Sequence, residues 1–354
     1  MDHRWTVRAR LAACCGCLLA LALALTPAVA GPASGPGPTV VREPIAFRVT
    51  NPVVPGHTYT IRGELVRPRA GCSGSVLLAM HGLSYGQWAW DFPLSPATYS
   101  VAQALAERGY ATVAVDELGY GTSAGPGAPD HPNGYTITVE GYADMAAQMA
   151  MQLRAGSYAA AHPVPFARVG LMGHSAGTEI VELAAALHPG VADVLIPTAY
   201  THEPFVDNNW LAREWTKDNE RAATSDYEYF ETDRATRAQD MYHLANADPA
   251  VVEWDNDHAN LTASGEIFSA GPQPSRSLLA LIKVPVLVVL AEHDALFPAS
   301  YGPQEMLWFQ GTADKTLLVA PNDGHAFMLH RNAGVTNDRI AAWLERHRTA
   351  LPPC

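Results

Sequence analysis

Long apolar runs, cysteine and positive charge are all scarce in this 354-residue sequence. The longest apolar stretch covers residues 11–25, fifteen residues in all, short of the roughly 20 that a membrane-spanning helix needs. No segment repeats with a period of roughly 20–50 residues, which excludes solenoids and propellers. Lys and Arg number 23 against 35 Asp and Glu, a net charge of −12. A chain this acidic does not hold nucleic acid by phosphate attraction, and its charge serves solubility. Of the five cysteines, Cys14, Cys15 and Cys17 crowd near the start. The other two, Cys72 and Cys354, lack the neighbours that activate a catalytic thiol. None of the 14 histidines falls in an H-E-x-x-H or comparable ligand spacing, so neither a metal nor another cofactor is expected.

Hydrophobic residues make up 48% of the chain, enough for one large core and an inserted subdomain. Arg4, Arg8 and Arg10 precede the apolar stretch, and Ala28-Val29-Ala30 follows it. Residues 1–30 thus read as a secretory signal peptide and 31–38 as a flexible leader. Leu11-Ala12-Ala13-Cys14 looks like a lipoprotein box, but this cysteine stands near the start of the apolar run instead of after it, so no lipid anchor and no stable membrane insertion are expected. Export permits Cys72 to pair with Cys354, tying down the C-terminus.

Residues 40–50 and 58–66 alternate as an antiparallel pair of strands does. A strand–helix rhythm follows. Buried strands are expected at 75–80, 111–115, 168–172, 191–198, 284–290 and 315–319, with helices at 99–107, 139–153, 178–187 and 338–347. The alternation implies a parallel sheet covered on both faces, built from residues 39–199 and 276–354. Residues 200–275 break the rhythm. Between 200 and 260 there are 14 acidic and 5 basic side chains, with scattered aromatics that include Trp210. The segment is expected to be a helical cap over the carboxyl ends of the strands, where open α/β sheets bind ligands.

Gly173-His174-Ser175-Ala176-Gly177 has the form G-x-S-x-G between an expected strand and an expected helix. That context makes a sharp turn that exposes a serine, with small flanking residues for close backbone approach. Serine needs a base. His325, in a loop after the 315–319 strand, is the choice over His81, His174, His293 and His330. The base needs a carboxylate. Asp294, after the 284–290 strand, is preferred to Glu203, Asp207 and Glu292. Oxyanion donors are expected at the N–H groups of Ala176 and Leu83, the latter in His81-Gly82-Leu83.

These residues resemble the α/β-hydrolase superfamily from about residue 58 to 349. Residues 116–123 (Asp-Glu-Leu-Gly-Tyr-Gly-Thr-Ser) look like that family's D-x-R-G-x-G-x-S, with Leu118 in place of Arg. The resemblance implies a doubly wound, mostly parallel eight-stranded sheet with an inserted helical cap. The fold by itself names no substrate.

A serine nucleophile makes an acyl-enzyme, so the substrate should carry an acyl carbonyl. Tyr85, Trp88 and Trp210, among other aromatics, would build an apolar pocket, although they could equally serve only to pack cap on core. The expected activity is hydrolysis of a hydrophobic small-molecule ester or lactone by a secreted enzyme. Aminopeptidase, amidase or perhydrolase chemistry on the same three residues is the alternative, and a non-catalytic binding protein is the other class.

Overall fold

The computed structural model describes residues 40–69, 74–202, 216–217, 219–220, 223 and 228–354. The expected leader, Cys72, Glu203, Asp207 and Trp210 lie outside them. Strand β1 (Val40–Thr50) buries every second residue, as a strand with one wet face does. It pairs antiparallel with β2 (Thr58–Pro68), which pairs antiparallel with β4 (Ala111–Asp116). By contrast β3 (Ser75–Met80), β4 and β9 (Val286–Ala291) are buried at every position. With β5 (Arg168–His174), β6 (Val194–Thr198) and β10 (Lys315–Ala320) they complete an eight-stranded sheet of order β1-β2-β4-β3-β5-β6-β9-β10. From β4 onward every neighbouring pair is parallel.

Each face of the sheet has its own core. Val76, Leu78 and Met80 of β3 pack with α3 (Val139–Ala155) and α4 (Ala176–Leu187). The intervening Leu77 and Ala79 face α2 (Val101–Ala106) and the C-terminal helix Ala333–Arg346. The period of two along one strand thus sorts the chain into two layers.

Element boundaries move for local reasons. The helix expected over 99–107 is split into α1 (Pro96–Tyr99) and α2 at Ser100, which is extended and whose hydroxyl caps Gln103 N–H. Strand β6 starts at Val194 because the Asp193 carboxylate accepts from Val169 N–H, Arg154 and Arg168 instead of continuing the strand. Strand β9 starts after Pro285, which has no N–H to give. The last helix begins at Ala333, since Ala333, Thr336 and Asn337 extend its buried stripe one turn earlier than the apolar pattern suggests.

Between β6 and β9 the described residues hold the helices Arg234–Met241, Pro249–His258 and Ser264–Ala270, and the short pair β7 (Tyr229–Phe230) and β8 (Thr262–Ala263). Among the described residues no helix is long and apolar enough to cross a membrane.

In the last of these helices Glu266 is fully buried, with Tyr120 donating to Oε2 at 2.5 Å. Burial raises its carboxyl from 4.5 to about 8. The folded state therefore keeps a proton that the unfolded state loses, and this stability drains away as pH rises from about 4.5 to about 8. Glu266→Gln should abolish that loss, so its melting temperature relative to wild type should climb steadily between about pH 5 and 8. A difference independent of pH would contradict a protonated Glu266.

Candidate active site

The turn between β5 and α4 is a single residue. Ser175 has φ 54° and ψ −123°, a conformation that costs a non-glycine residue about 1–3 kcal/mol. The fold over-determines it: Thr198 O accepts Ser175 N–H at 2.9 Å, and the Thr178 hydroxyl accepts Thr198 N–H at 2.9 Å. Close approach sets the residue types beside it. A Cβ at Gly177 would lie 2.2 Å from His81 O, and one at Gly82 would lie 2.8 Å from Ser175 Cβ. Neither distance is tolerable, so the β3 loop reaches the serine only over glycine.

His325 Nδ1 lies 2.9 Å from Asp294 Oδ2. The other Asp294 oxygen accepts the N–H groups of Leu296 and Phe297 at 2.8 and 2.9 Å. With both oxygens engaged the carboxylate is fixed, and it holds the imidazole with Nδ1 protonated and Nε2 available as a base. The loop carrying His325 is stapled by His330, whose Nε2 accepts Gly324 N–H and His243 N–H, each at 3.0 Å. His330 Nδ1 donates to Ala326 O at 2.9 Å. Burial lowers His330 to about 4, so it stays neutral and can accept at Nε2.

Histidine also serves the opposite wall. His81 Nδ1 donates to Gly82 O at 2.9 Å and its Nε2 accepts Glu117 N–H at 3.1 Å. Burial lowers His81 to about 4, which keeps this tautomer neutral. Tyr85 N–H also reaches Gly82 O, at 3.1 Å. Gly82 C=O and Leu83 N–H belong to one trans peptide and point opposite ways, so anchoring the oxygen aims the N–H. Among the described residues no protein group accepts the N–H of Leu83 or of Ala176.

Ser175, Ala176, Leu83, Tyr85 and His325 line one cavity, together with Tyr200, Asp233, Arg237, Asp240, Met241, Leu296 and Phe297. No hydrogen bond joins the Ser175 hydroxyl to His325 among the described residues; in ligand-free sites such contacts commonly tighten only around substrate. Trp88 lines a different groove, with Trp254, Glu64 and Asp91. The competing histidines lie elsewhere in role: His174 is buried against the His325 ring at 4.8 Å, and His293 stacks on His243 at 4.0 Å. Glu292 accepts Asn322 N–H at 2.8 Å. The sequence does not point to Arg237 or Tyr200, and it offers His330 only as a rival base, not as the residue that staples the His325 loop. For Arg237 and Tyr200 the signal was position in an irregular segment, which spacing does not reveal.

One cluster has metal-like donors. Glu182, His202 and Glu305 bring ligand atoms within 4.8 Å of one another. His202 Nδ1 lies 2.8 Å from Glu305, and its Nε2 lies 3.3 Å from Glu182 and 2.7 Å from Ser275 Oγ. Although burial opposes it, the two carboxylates raise His202 to about 10. An imidazolium between two carboxylates satisfies the donor set without an ion, and it ties residues 202 and 275 to α4.

Residues 95–332 match the family model Hydrolase_4, described as serine aminopeptidase, S33. The chain belongs to this family. Its fold is that of the α/β-hydrolase superfamily. An esterase from Thermogutta terrifontis is similar at TM-score 0.64 and 17% identity, over 85% of this chain and 98% of the other. An esterase from Exiguobacterium antarcticum is similar at 0.60 and 19%, over 81% and 96%. A monoacylglycerol lipase from Paleococcus ferrophilus is similar at 0.57 and 16%, over 79% and 96%. No curated protein is significantly similar in sequence. This S33-family chain is thus a hydrolase by family.

His330→Ala should orphan the buried Gly324 N–H at an expected cost of about 1–3 kcal/mol, with a smaller loss from the half-buried His243 N–H, read as a lower denaturation midpoint. His330→Gln, which can still accept one of them, should lose less. Equal losses in the two variants would mean that the ring fills space and does not staple the loop.

Proposed function

We propose that this protein is a secreted serine hydrolase that cleaves a carboxylic ester or lactone of a hydrophobic small molecule through an acyl-enzyme on Ser175. The observation that carries the reading is the 2.9 Å contact between His325 Nδ1 and Asp294 Oδ2, in a loop that shares a cavity with Ser175. Ser175 Oγ attacks the carbonyl carbon while His325 Nε2 takes its proton. Leu83 and Ala176 N–H receive the oxyanion, which collapses as His325 protonates the leaving alcohol. Water, activated by the same imidazole, then hydrolyses the ester on Ser175. Met241, Leu296 and Phe297 in the cavity wall suit an apolar substrate. Residues 200–275 act as the cap. In this reading Tyr85 and Trp210 contact substrate, and Trp88 backs the cavity from its neighbouring groove.

A second reading is cleavage at the N-terminus of a peptide. The family's description and the presence of Asp233 and Asp240 in the cavity lining favour it, since carboxylates would capture an amine. Aryl esters, lactones and aminoacyl-arylamides assayed side by side separate the two. Esters or lactones should be cleaved fastest, and faster release of aminoacyl-arylamides would install the peptidase reading. A fluorophosphonate should label the wild type and not Ser175→Ala, with hydrolysis falling by about 10³-fold or more. Undiminished turnover in that variant would remove the acyl-enzyme altogether.

Export and a Cys72–Cys354 bridge complete the proposal. Cys354 N–H donates to Gly109 O at 2.6 Å, and Pro353 O lies 3.6 Å from where a Gly74 Cβ would sit, so the chain end runs beside Gly74, two positions along the sequence from Cys72. Intact-mass measurement with a thiol-alkylating reagent should find no free thiol in the exported protein. Two alkylated cysteines would refute the bridge.

A further inference from the structure

From the buried contacts of Arg237 we infer that this residue is a positioning residue for the oxyanion site: through Ser84 it holds Leu83 in place, so that the site is complete only when the inserted segment is docked. The inference rests on the proposed roles of Ser175 and of Leu83 N–H.

Arg237 lies midway along Arg234–Met241, whose first turn Asp233 caps through Ala235 N–H at 3.0 Å. It is 1% exposed, and its partner Asp255 is 0% exposed. A cation so buried needs a fixed counter-charge. Asp255 supplies it with Oδ1 at 2.7 Å, while its Oδ2 accepts the hydroxyls of Tyr242 and Tyr85 at 2.8 and 3.3 Å. The Tyr85 ring lies under the guanidinium, 4.8 Å from centroid to Cζ. The guanidinium therefore has one place to be.

From that place it acts on the β3 loop. Arg237 Nη1 donates to Ser84 Oγ at 2.5 Å. The single hydroxyl proton of Ser84 then goes to Leu83 O at 2.6 Å. The direction of this chain is fixed, because a guanidinium only donates. Ser84 itself sits at φ 62°, a left-handed conformation that an isolated serine leaves. The loop needs an external restraint to stay there. Asn260 adds to it, its N–H donating to Ser84 O and its Nδ2 to Tyr85 O, each at 2.8 Å.

The two sides of Leu83 are thus held by different parts of the chain. His81 and Tyr85 N–H hold the Gly82 oxygen before it, from the core. Arg237 and Asn260 hold the carbonyls of residues 83 to 85 after it, from the inserted segment. The same segment reaches the base: Met241 O accepts Ala326 N–H at 2.8 Å, one residue from His325. Residues 237–241 therefore bridge the oxyanion loop and the histidine loop. Undocking them would free the Leu83 peptide to turn, and an oxyanion donor that is not preorganised stabilises no transition state.

The test compares wild type with Ser84→Ala, Arg237→Gln, Arg237→Lys and the Ser84→Ala/Arg237→Gln double variant, using the best aryl ester. Ser84→Ala breaks the relay and leaves the Arg237–Asp255 pair intact. It should lower kcat by about tenfold, slow fluorophosphonate labelling similarly and leave KM near wild type. Arg237→Gln should cost at least as much in kcat, and the double variant should add little to it, as for two members of one chain. Arg237→Lys should recover part of the loss. Wild-type kcat in Ser84→Ala, or additive losses in the double variant, would overturn the inference. Failure of the underlying reading looks different: Ser175→Ala would then keep both labelling and turnover.

Discussion

The backbone of the β3 loop and the backbone of the Ser175 turn lie closer than any side chain permits, and the site is organised around that approach. A methyl group at residue 82 would meet Ser175, and one at 177 would meet the carbonyls of Met80 and His81. Because both positions are glycine, Leu83 and Ala176 come to line one cavity with Ser175, and among the described residues no backbone carbonyl accepts either N–H. The strained serine conformation is tolerable because β5, β6 and α4 fix its neighbours with hydrogen bonds from Thr178 and Thr198. Strain and packing are parts of one arrangement: the same closeness that excludes a Cβ brings the β3 loop to the serine.

Neutral histidines hold much of the surrounding loop structure. His81 and His330 each donate from Nδ1 to a backbone carbonyl within their own loop and accept backbone N–H at Nε2. Only an uncharged imidazole can do both, and burial supplies the condition by pushing each well below the ordinary histidine range. His202 is the converse. Two carboxylates outweigh its burial and keep it charged, and it pins residues at both ends of the inserted segment to the helix that follows Ser175. Three histidines of one residue type thus differ in charge because their nearest neighbours differ.

The described residues between β6 and β9 hold the loops on both sides of the cavity. Arg237 and Asn260 bind the loop on one side of the cavity, and Met241, His243 and Asn246 bind the loop on the other. Leu118, which replaces the arginine of the related motif, is buried in the core while its carbonyl accepts the Tyr142 hydroxyl at 2.6 Å, so the 116–123 loop is held through its backbone.

The amino-acid order alone determined the strand–helix rhythm, the strand-turn-helix around Ser175 and the loops carrying Asp294 and His325. Each is a local pattern: a run of apolar residues of strand length, a glycine where backbones touch, or a polar residue just past a strand's end. Strand ends shifted at Asp193 and Pro285, and the 99–107 helix broke at Ser100, because single side chains there outcompete a periodic pattern. The tertiary structure alone decided which histidines are neutral, where Trp88 points, and that Arg237 meets Ser84 across 153 residues of chain. Those facts depend on burial and on partners distant in sequence. Burial is a property of the packed layers, and no window along the chain contains it.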